Sequence, residues 1–236
     1  MKKVLVFQHV GHEQVGYIGD YAQDRGVQLH VVELWKPYTM PDPQEFDALI
    51  VLGGPMGVYE NYISEADELA MIRAHIGTMP MLGICLGSQL IAHALGAKVT
   101  PNMRDGKQVK EIGYYDIQLT DGGERSSIFS SFSSPFTALE WHGDAFELPK
   151  DAVHLARTPL CEMQAFQYKN AFGLLFHFEF TERMVLRQIE IDRKWSHENF
   201  DLDDEKLRGD AQRFAPLMKE QCYTLMDNFL TAHASK

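Results

Sequence analysis

The sequence Met81-Leu82-Gly83-Ile84-Cys85-Leu86-Gly87-Ser88-Gln89 places a cysteine where a short apolar strand is expected to turn abruptly into a helix that Gly96 closes. Glycines two residues before and two residues after the cysteine permit a tight turn, as in the nucleophile elbows of hydrolases. Such a turn projects the side chain above the sheet edge, and the helix N-terminus favours its thiolate form. The pattern indicates a cysteine nucleophile, with a small buried apolar cysteine as the structural alternative.

Apolar runs and helical segments alternate on the N-terminal side of this turn. We predict strands over residues 3–9, 27–34 and 46–52 and helices over residues 13–25 and 64–76, the second helix opened by a capping box of Ser64 and Asp67. The strands are apolar on both faces, which is typical of a parallel sheet buried under helices. The predicted fold class is therefore α/β, with an open, mostly parallel, flavodoxin-like sheet and helices on both faces. Such sheets bind ligands beyond the carboxyl ends of their strands.

The C-terminal half changes character twice. Residues 109–179 are rich in strand patterns, and residues 181–236 read as helix, with Pro216 expected in the first turn of the last helix. The apolar side chains of that helix fall on one stripe, which consists of Phe214, Leu217, Met218, Cys222, Leu225, Met226, Phe229 and Leu230. We expect one domain over residues 1–180 and a helical extension over residues 181–236 packed on the same domain. A homodimer interface is the alternative use of the stripe.

The composition excludes several classes of protein. The 236 residues carry a net charge of −11, which argues against general binding to nucleic acids or anionic membranes. No apolar run is long enough for a transmembrane helix and no secretory leader is recognised, so a cytoplasmic protein is expected. Three scattered cysteines are too few for a disulfide framework or a zinc site, and no phosphate-binding loop is present in the sequence. Neither a metal nor a cofactor is therefore expected.

A second chemical element is the pair formed by His177 and Glu179, which follows another apolar run. Strand residues two apart share one face, so the two side chains would lie side by side while Phe178 faces the apolar side. This suits a carboxylate that orients an imidazole, with the imidazole as proton carrier for a nucleophile. A half-formed metal site is the alternative interpretation.

A third element is the loop Gly53-Gly54-Pro55-Met56-Gly57, directly after a predicted strand. Exposed backbone N–H groups in such a loop can form half of an oxyanion hole. The N–H of Leu86, the residue after the cysteine, would supply the other half. Read alone, the loop is only a tight turn.

Together these elements resemble the class I glutamine amidotransferases, whose Cys-His-Glu domain releases ammonia from glutamine. The three elements and the segment Trp141-His142-Gly143-Asp144 match that family in kind, order and spacing. The resemblance covers residues 1–180. Within the family, the sequence is similar in particular to the stand-alone, GMP-synthase-like members. Two positions depart from the family: Phe178 stands where proline is usual, and Ser88 stands where many members carry a larger residue.

The resemblance implies a role for each matching residue. Cys85 would be the nucleophile, His177 the general base and later acid, and Glu179 the partner that orients the imidazole. Gly54 and Leu86 would donate N–H groups to the oxyanion. The pocket for the amino-acid end of the substrate would be formed by Gln89, Trp141, Gly143 and Asp144.

The implied protein is a glutaminase-type cysteine hydrolase that releases ammonia from glutamine for a separate synthase subunit. An independent hydrolase of γ-glutamyl amides or peptides is one alternative, and a non-catalytic regulator that only binds a ligand or partner is another. An α/β-hydrolase with a cysteine nucleophile is disfavoured, because in that class the acid precedes the histidine, whereas Glu179 follows His177.

Overall fold

In the computed structural model, which describes residues 1–231, the chain is organised around a nine-stranded mixed sheet. The strands are β1 (Lys3–Gln8), β2 (Gln28–Glu33), β3 (Ala48–Val51), β4 (Met81–Ile84), β5 (Val99–Pro101), β6 (Met103–Arg104), β7 (Lys107–Gln108), β8 (Glu111–Leu119), β9 (Phe136–His142), β10 (Asp144–Phe146), β11 (Val153–Arg157), β12 (Ala165–Tyr168) and β13 (Ala171–Leu174). The helices are α1 (Gly16–Arg25), α2 (Glu65–His75), α3 (Leu86–Ala94), α4 (Asp121–Arg125), α5 (Glu182–Ile191), α6 (Arg193–His197) and α7 (Asp204–Thr231). Residues 232–236, the end of the predicted C-terminal helix, lie outside the described residues.

The first half of the sheet is parallel and is covered by helices on both faces. Its strand order is β2-β1-β3-β4-β13, and every neighbouring pair in it runs parallel. Alternate residues of β1 enter opposite apolar clusters: Val4 and Val6 pack with α1 and α7, whereas Leu5 and Phe7 pack with α2 and α3. This alternation places apolar side chains on both faces of the strands, and the predicted α/β fold is confirmed.

The second half of the sheet is antiparallel, in the order β13-β12-β11-β8-β9, and it is formed by the strand-rich segment. The two halves meet where β13 pairs in parallel with β4, with Leu174 opposite Ile84. The N–H of Cys85 then donates to the carbonyl oxygen of Leu174 at 2.8 Å. The segment after β13 therefore leaves the sheet beside Cys85, at the edge where parallel sheets bind ligands.

Helix α1 begins at Gly16, three residues later than the sequence predicts. Gly16 has a φ of 46°, and a β-carbon there would lie 1.9 Å from the carbonyl oxygen of Glu179. That oxygen accepts the N–H of Tyr17 at 2.8 Å, so the close approach of the two segments requires glycine. Glu13 consequently lies in a loop, with its side chain buried.

Helix α7 contains Pro216 in its interior, so the prediction that Pro216 opens the last helix is wrong. Burial of apolar residues on both sides of the proline stabilises the helix across the missing backbone hydrogen bond. Most of the predicted stripe, from Met218 to Leu230, is buried in the same cluster as the sheet. The stripe therefore packs within the chain and is not available for the alternative, a homodimer interface. No helix among residues 1–231 is both long and apolar enough to cross a membrane.

The start of helix α2 also differs from the prediction. Ser64 stands at the N-cap of α2, but its hydroxyl makes no capping bond, so the predicted capping box is wrong. The hydroxyl donates instead to Oε1 of Glu68 at 2.7 Å. Glu68 is fully buried, and a buried carboxylate requires hydrogen-bond donors more than an exposed helix end does.

Candidate active site

Cys85 occupies the sharp turn between β4 and α3. Its backbone angles, φ 50° and ψ −111°, lie in a region that residues with a side chain rarely adopt. A β-carbon on Gly83 would lie 2.4 Å from the carbonyl oxygen of Gly87, and one on Gly87 would lie 1.9 Å from that of Val51. The turn thus depends on both glycines, as the spacing predicts. The thiol of Cys85 lies 3.8 Å from the carbonyl oxygen of Trp141.

His177 and Glu179 lie beside this cysteine in an irregular segment. Strand β13 ends at Leu174, earlier than predicted, and His177 is held by two backbone hydrogen bonds with Leu139. His177 Nδ1 is 2.6 Å from Glu179 Oε1, and both side chains are buried. The second ring nitrogen, Nε2, has no hydrogen-bond partner in the protein. The ring of Phe178 packs in an aromatic cluster with Phe132, Phe136 and Phe176.

The charge state of His177 is set by its neighbours. Burial alone would lower the pKa of His177, but the Glu179 carboxylate and the charge of the neighbouring Cys85 sulfur hold it well above its usual value. An imidazole that keeps its proton close to a thiol can later deliver that proton to a leaving group. The arrangement therefore has the components of a nucleophile, a proton carrier and an orienting acid.

The loop after β3 is held in place by His9, a residue that the sequence analysis does not single out. His9 Nδ1 donates to the carbonyl oxygen of Gly53 at 3.0 Å, and Nε2 lies 2.7 Å from Glu68 Oε2. Burial opposes the charge, but Glu68 raises the pKa of His9. Both ring nitrogens face oxygen acceptors, which is the arrangement that a protonated imidazole satisfies. In a trans peptide the C=O and N–H groups point in opposite directions, so this bond turns the N–H of Gly54 away from His9.

The two predicted oxyanion-hole donors are neighbours in the fold. A β-carbon on Gly54 would lie 3.0 Å from Leu86 Cδ2, so the glycine loop contacts the first residue of α3. The N–H of Leu86 belongs to the first turn of α3, where backbone N–H groups have no acceptor within the helix. Both donors are thus adjacent to Cys85.

A cavity of about 310 Å³ opens in front of Cys85. Seven of the nine predicted site residues line it: Gly54, Cys85, Gln89, Trp141, Gly143, Asp144 and His177. Of the other two, Glu179 is bound to the far nitrogen of His177, and Leu86 is buried at the start of α3. Asp144 accepts a hydrogen bond from the hydroxyl of Tyr59 at 2.7 Å. The structure therefore brings all nine residues to one place.

Glu13, Gln188 and Asp192 are among the cavity-lining residues that no sequence motif marks. Glu13 comes from the loop before α1, and the other two come from the region predicted as a helical extension. Gln188 Nε2 donates to Asp192 Oδ2 at 2.7 Å, and the indole N–H of Trp141 donates to the same oxygen at 2.9 Å. Of these three residues, only Gln188 could have been suspected from the sequence, because it is a polar residue within the apolar stripe that α5 buries.

A buried cluster of charged residues surrounds His142, which also lines the cavity. His142 Nε2 is 3.3 Å from Glu111 Oε2 and 3.1 Å from Glu140 Oε2. Burial opposes the charge, but hydrogen bonds to these two carboxylates raise the pKa of His142 to about 10. Glu111, His142 and Cys161 offer ligand atoms within 4.8 Å of one another, yet Glu111 already accepts two side-chain hydrogen bonds. The geometry is that of an internal ion network.

The chain is similar to known proteins over most of its length. The sequence model of the family described as glutamine amidotransferase class-I matches residues 12–189. The glutamine amidotransferase-like protein YfeJ of Salmonella typhimurium is 31% identical over 97% of both chains. The glutamine-hydrolyzing GMP synthase of Brachyspira hyodysenteriae is 30% identical over 65% of this chain, but the match spans only 30% of that protein. The crystal structure of a glutamine amidotransferase from Thermotoga maritima superposes with a TM-score of 0.87 at 29% identity, covering 97% of this chain and 98% of that chain.

Proposed function

The chain belongs to the class-I glutamine amidotransferase family, and we propose that it hydrolyses the side-chain amide of glutamine through a thioester on Cys85. One observation carries the proposal: His177 is buried beside Cys85 with its Nε2 unpartnered. A buried nitrogen without a partner is costly, and a role in proton transfer accounts for it. Glu179, bound to Nδ1, selects the orientation that leaves Nε2 for the thiol.

The first half of the reaction forms the thioester. The Cys85 thiolate attacks the amide carbon, and the carbonyl oxygen becomes an oxyanion that the N–H groups of Gly54 and Leu86 stabilise. His177 gives its proton to the leaving nitrogen, so the C–N bond breaks and ammonia departs. Gln89, Trp141, Gly143 and Asp144 hold the amino-acid end of the substrate.

The second half of the reaction consumes water. His177, now neutral, takes a proton from a water molecule, and the hydroxide attacks the thioester carbon. The C–S bond breaks, glutamate leaves, and the imidazole is again protonated beside a thiolate. The enzyme therefore returns to its starting state without a cofactor.

In this mechanism His9 is a positioning residue. Its bond to the carbonyl oxygen of Gly53 fixes the peptide whose N–H, that of Gly54, stabilises the oxyanion. Glu68 holds the ring of His9, and Ser64 in turn donates to Glu68. The oxyanion hole is thus preorganised by a fully hydrogen-bonded chain of buried side chains.

We propose a separate synthase subunit as the receiver of the ammonia. The similarity to part of a GMP synthase supports this, because that protein is named for a synthase activity coupled to glutamine hydrolysis. Ammonia release from glutamine that rises when a co-purifying partner is added is the expected result. Release that stays constant at every partner concentration contradicts a coupled partner.

The test of the catalytic assignment uses two cysteine variants. In Cys85→Ala, ammonia release from glutamine should fall by at least about 10⁴-fold, because the nucleophile is lost. A glutamine analogue with an electrophilic δ-carbon should label wild-type protein at Cys85 alone, as read by peptide mass spectrometry.

The matched control is Cys222→Ala, which removes a buried cysteine that lies in the core and not on the cavity. This variant should keep both turnover and labelling. Full glutamine hydrolysis by Cys85→Ala, or labelling at Cys161 or Cys222 instead, would falsify the assignment.

A further inference from the structure

In the lining of the cavity in front of Cys85, carboxylates outnumber the two histidines with raised pKa values, His142 and His177. The lining includes the carboxylates of Glu13, Glu60, Asp144 and Asp192, and none of its described residues is a lysine or an arginine. The amino-acid end of glutamine carries only one cation, so four carboxylates exceed what it requires. Some of them must serve another part of the substrate.

Glu13 lies next to the reacting groups. A β-carbon built on Gly53 would lie 2.5 Å from Glu13 Oε2, 3.3 Å from His177 Cε1 and 3.5 Å from Cys85 Cβ. Glu13 therefore lies on the side of Cys85 that carries His177. Because His177 protonates the leaving nitrogen, this is the side on which the leaving group departs.

Gln188 and Asp192 extend this side of the cavity. Gln188 Nε2 lies 3.5 Å from Glu13 Oε1 and donates to Asp192 at 2.7 Å, so the three side chains are contiguous. Gln188 is 2% exposed, and its Oε1 is an acceptor without a partner. The indole of Trp141 holds Asp192 from the opposite side. The cluster thus presents acceptors to a ligand that can donate N–H bonds.

We propose that Glu13, Gln188 and Asp192 form a leaving-group subsite that binds amines, so that γ-glutamyl amides of amines carrying a second cationic nitrogen are substrates. This inference rests on the proposed thioester chemistry. The C–N bond breaks, His177 supplies the proton to the amine, and water regenerates Cys85, which yields glutamate and the free amine. Glutamine is the smallest γ-glutamyl amide, and its leaving group, ammonia, would occupy the same subsite. A γ-glutamyl amino acid is disfavoured because its leaving group carries a carboxylate into an acidic cluster.

The test measures binding to Cys85→Ala, which retains the cavity but cannot consume its ligands. Three ligands of similar size differ in leaving-group charge: γ-glutamyl-2-aminoethylamide (cationic), γ-glutamyl-propylamide (neutral) and γ-glutamylglycine (anionic). Calorimetry should show the cation bound about 10-fold tighter than the neutral amide, the difference that one charge-assisted hydrogen bond supplies. The anion should bind more weakly than both.

Two isosteric variants and a control assign this preference to the subsite. Added to Cys85→Ala, Glu13→Gln or Asp192→Asn should reduce the ratio of cation to anion affinity about 10-fold. Glu190→Gln removes the same charge from the exposed face of α5 and should leave the ratio unchanged. Equal binding of cation and anion to Cys85→Ala, or a ratio that neither subsite variant moves, overturns the proposal.

The pH dependence gives a second test. Burial raises the pKa of Glu13 to about 7, so its carboxylate ionises as the pH rises through 7. The titratable groups that face it are His177, Asp192, His9, Glu179 and His12. The preference for the cation should therefore increase between pH 6 and pH 8 with Glu13 present and stay flat in Glu13→Gln. A rise of the same size in both proteins contradicts a role for Glu13.

Turnover by the wild-type protein separates this inference from the proposed function. If the wild-type protein hydrolyses glutamine but binding shows no charge preference among the three γ-glutamyl ligands, the thioester chemistry is supported and the subsite is contradicted. If Cys85→Ala binds the ligands according to their charge, but the wild-type protein shows neither turnover nor labelling of Cys85, the subsite is supported and the thioester chemistry is contradicted.

Discussion

Two buried histidine–carboxylate pairs lie on either side of the glycine loop, and they differ in what the second ring nitrogen contacts. In one pair His177 is 2.6 Å from Glu179, and in the other His9 is 2.7 Å from Glu68. His9 uses both nitrogens, one for Glu68 and one for the carbonyl oxygen of Gly53. His177 leaves Nε2 unpartnered beside Cys85. The same pair of residue types therefore binds a backbone carbonyl in one place and, as we propose, carries a proton in the other.

The carboxylates show the same contrast. Glu68 accepts from His9 with one oxygen and from Ser64 with the other, whereas Oε2 of Glu179 has no partner. A fully hydrogen-bonded network rigidifies its surroundings, while unsatisfied groups keep acceptors and donors available to a substrate. The comparison shows that two pairs of the same residue types differ in which hydrogen-bonding atoms have no partner within the protein.

The largest expected effect comes from removing each imidazole. His177→Ala should lower kcat for glutamine by about 10⁴-fold or more, because the proton carrier is lost. His9→Ala should lower kcat about 10²- to 10³-fold with little change in KM, the cost of one misplaced oxyanion donor. Steady-state ammonia release measures both effects.

Asparagine distinguishes the two roles. An asparagine side chain offers an N–H group close to the position of Nδ1 but carries no titratable proton. His9→Asn should therefore recover part of the activity lost in His9→Ala, and His177→Asn should recover none. Recovery at position 177 would break the comparison, because it would mean that His177 acts only through the hydrogen bond of its Nδ1 and not as a proton carrier.

The next effect concerns the free energy of unfolding. Glu68→Ala should cost about 3–5 kcal/mol, because it leaves His9 and Ser64 unpaired in the interior. Glu179→Ala should cost less stability, since its network is incomplete, but it should lower turnover about 10²- to 10⁴-fold by removing the orientation of His177. Urea unfolding and ammonia release, measured on both variants, should rank them in opposite orders. An identical ranking in both measurements refutes the division into a carbonyl-binding histidine and a proton carrier.

The smallest effect comes from a third histidine, His142, which lies between Glu111 and Glu140. Its pKa is raised to about 10, above the ordinary 6.5, so the stability it contributes is complete below pH 6.5 and is lost as the pH rises through 10. Between pH 7 and pH 9 the wild-type protein should lose about 1 kcal/mol per pH unit more than His142→Gln does.

An NMR titration provides an independent readout for His142 in the wild-type protein. Its imidazole carbon and nitrogen shifts should remain those of the charged ring at pH 8. Shifts of a neutral ring at pH 8 would show that the pKa of His142 is not raised, and would contradict the predicted pH dependence of stability.

Local patterns predicted the proposed nucleophile and its partners. The glycines around Cys85 and the spacing of His177 and Glu179 constrain the backbone within a few residues, so these three positions were predicted from the sequence. The boundaries were less predictable: α1 begins at Gly16 because a distant carbonyl oxygen approaches it, and α7 continues through Pro216 because tertiary packing outweighs one lost hydrogen bond. Burial of a long apolar stripe is a tertiary effect that local propensity does not report.

The sequence by itself determined the α/β fold, the strained cysteine turn and the glycine loop, because each depends on residues adjacent in the chain. Only the tertiary structure decided that His9 binds the glycine loop and Glu68 at the same time. It also decided that Glu13, Gln188 and Asp192 share one wall of the cavity, although Glu13 and Gln188 are 175 residues apart in sequence. Hydrogen bonds between distant segments depend on how the sheet and its helices pack, so no local pattern encodes them.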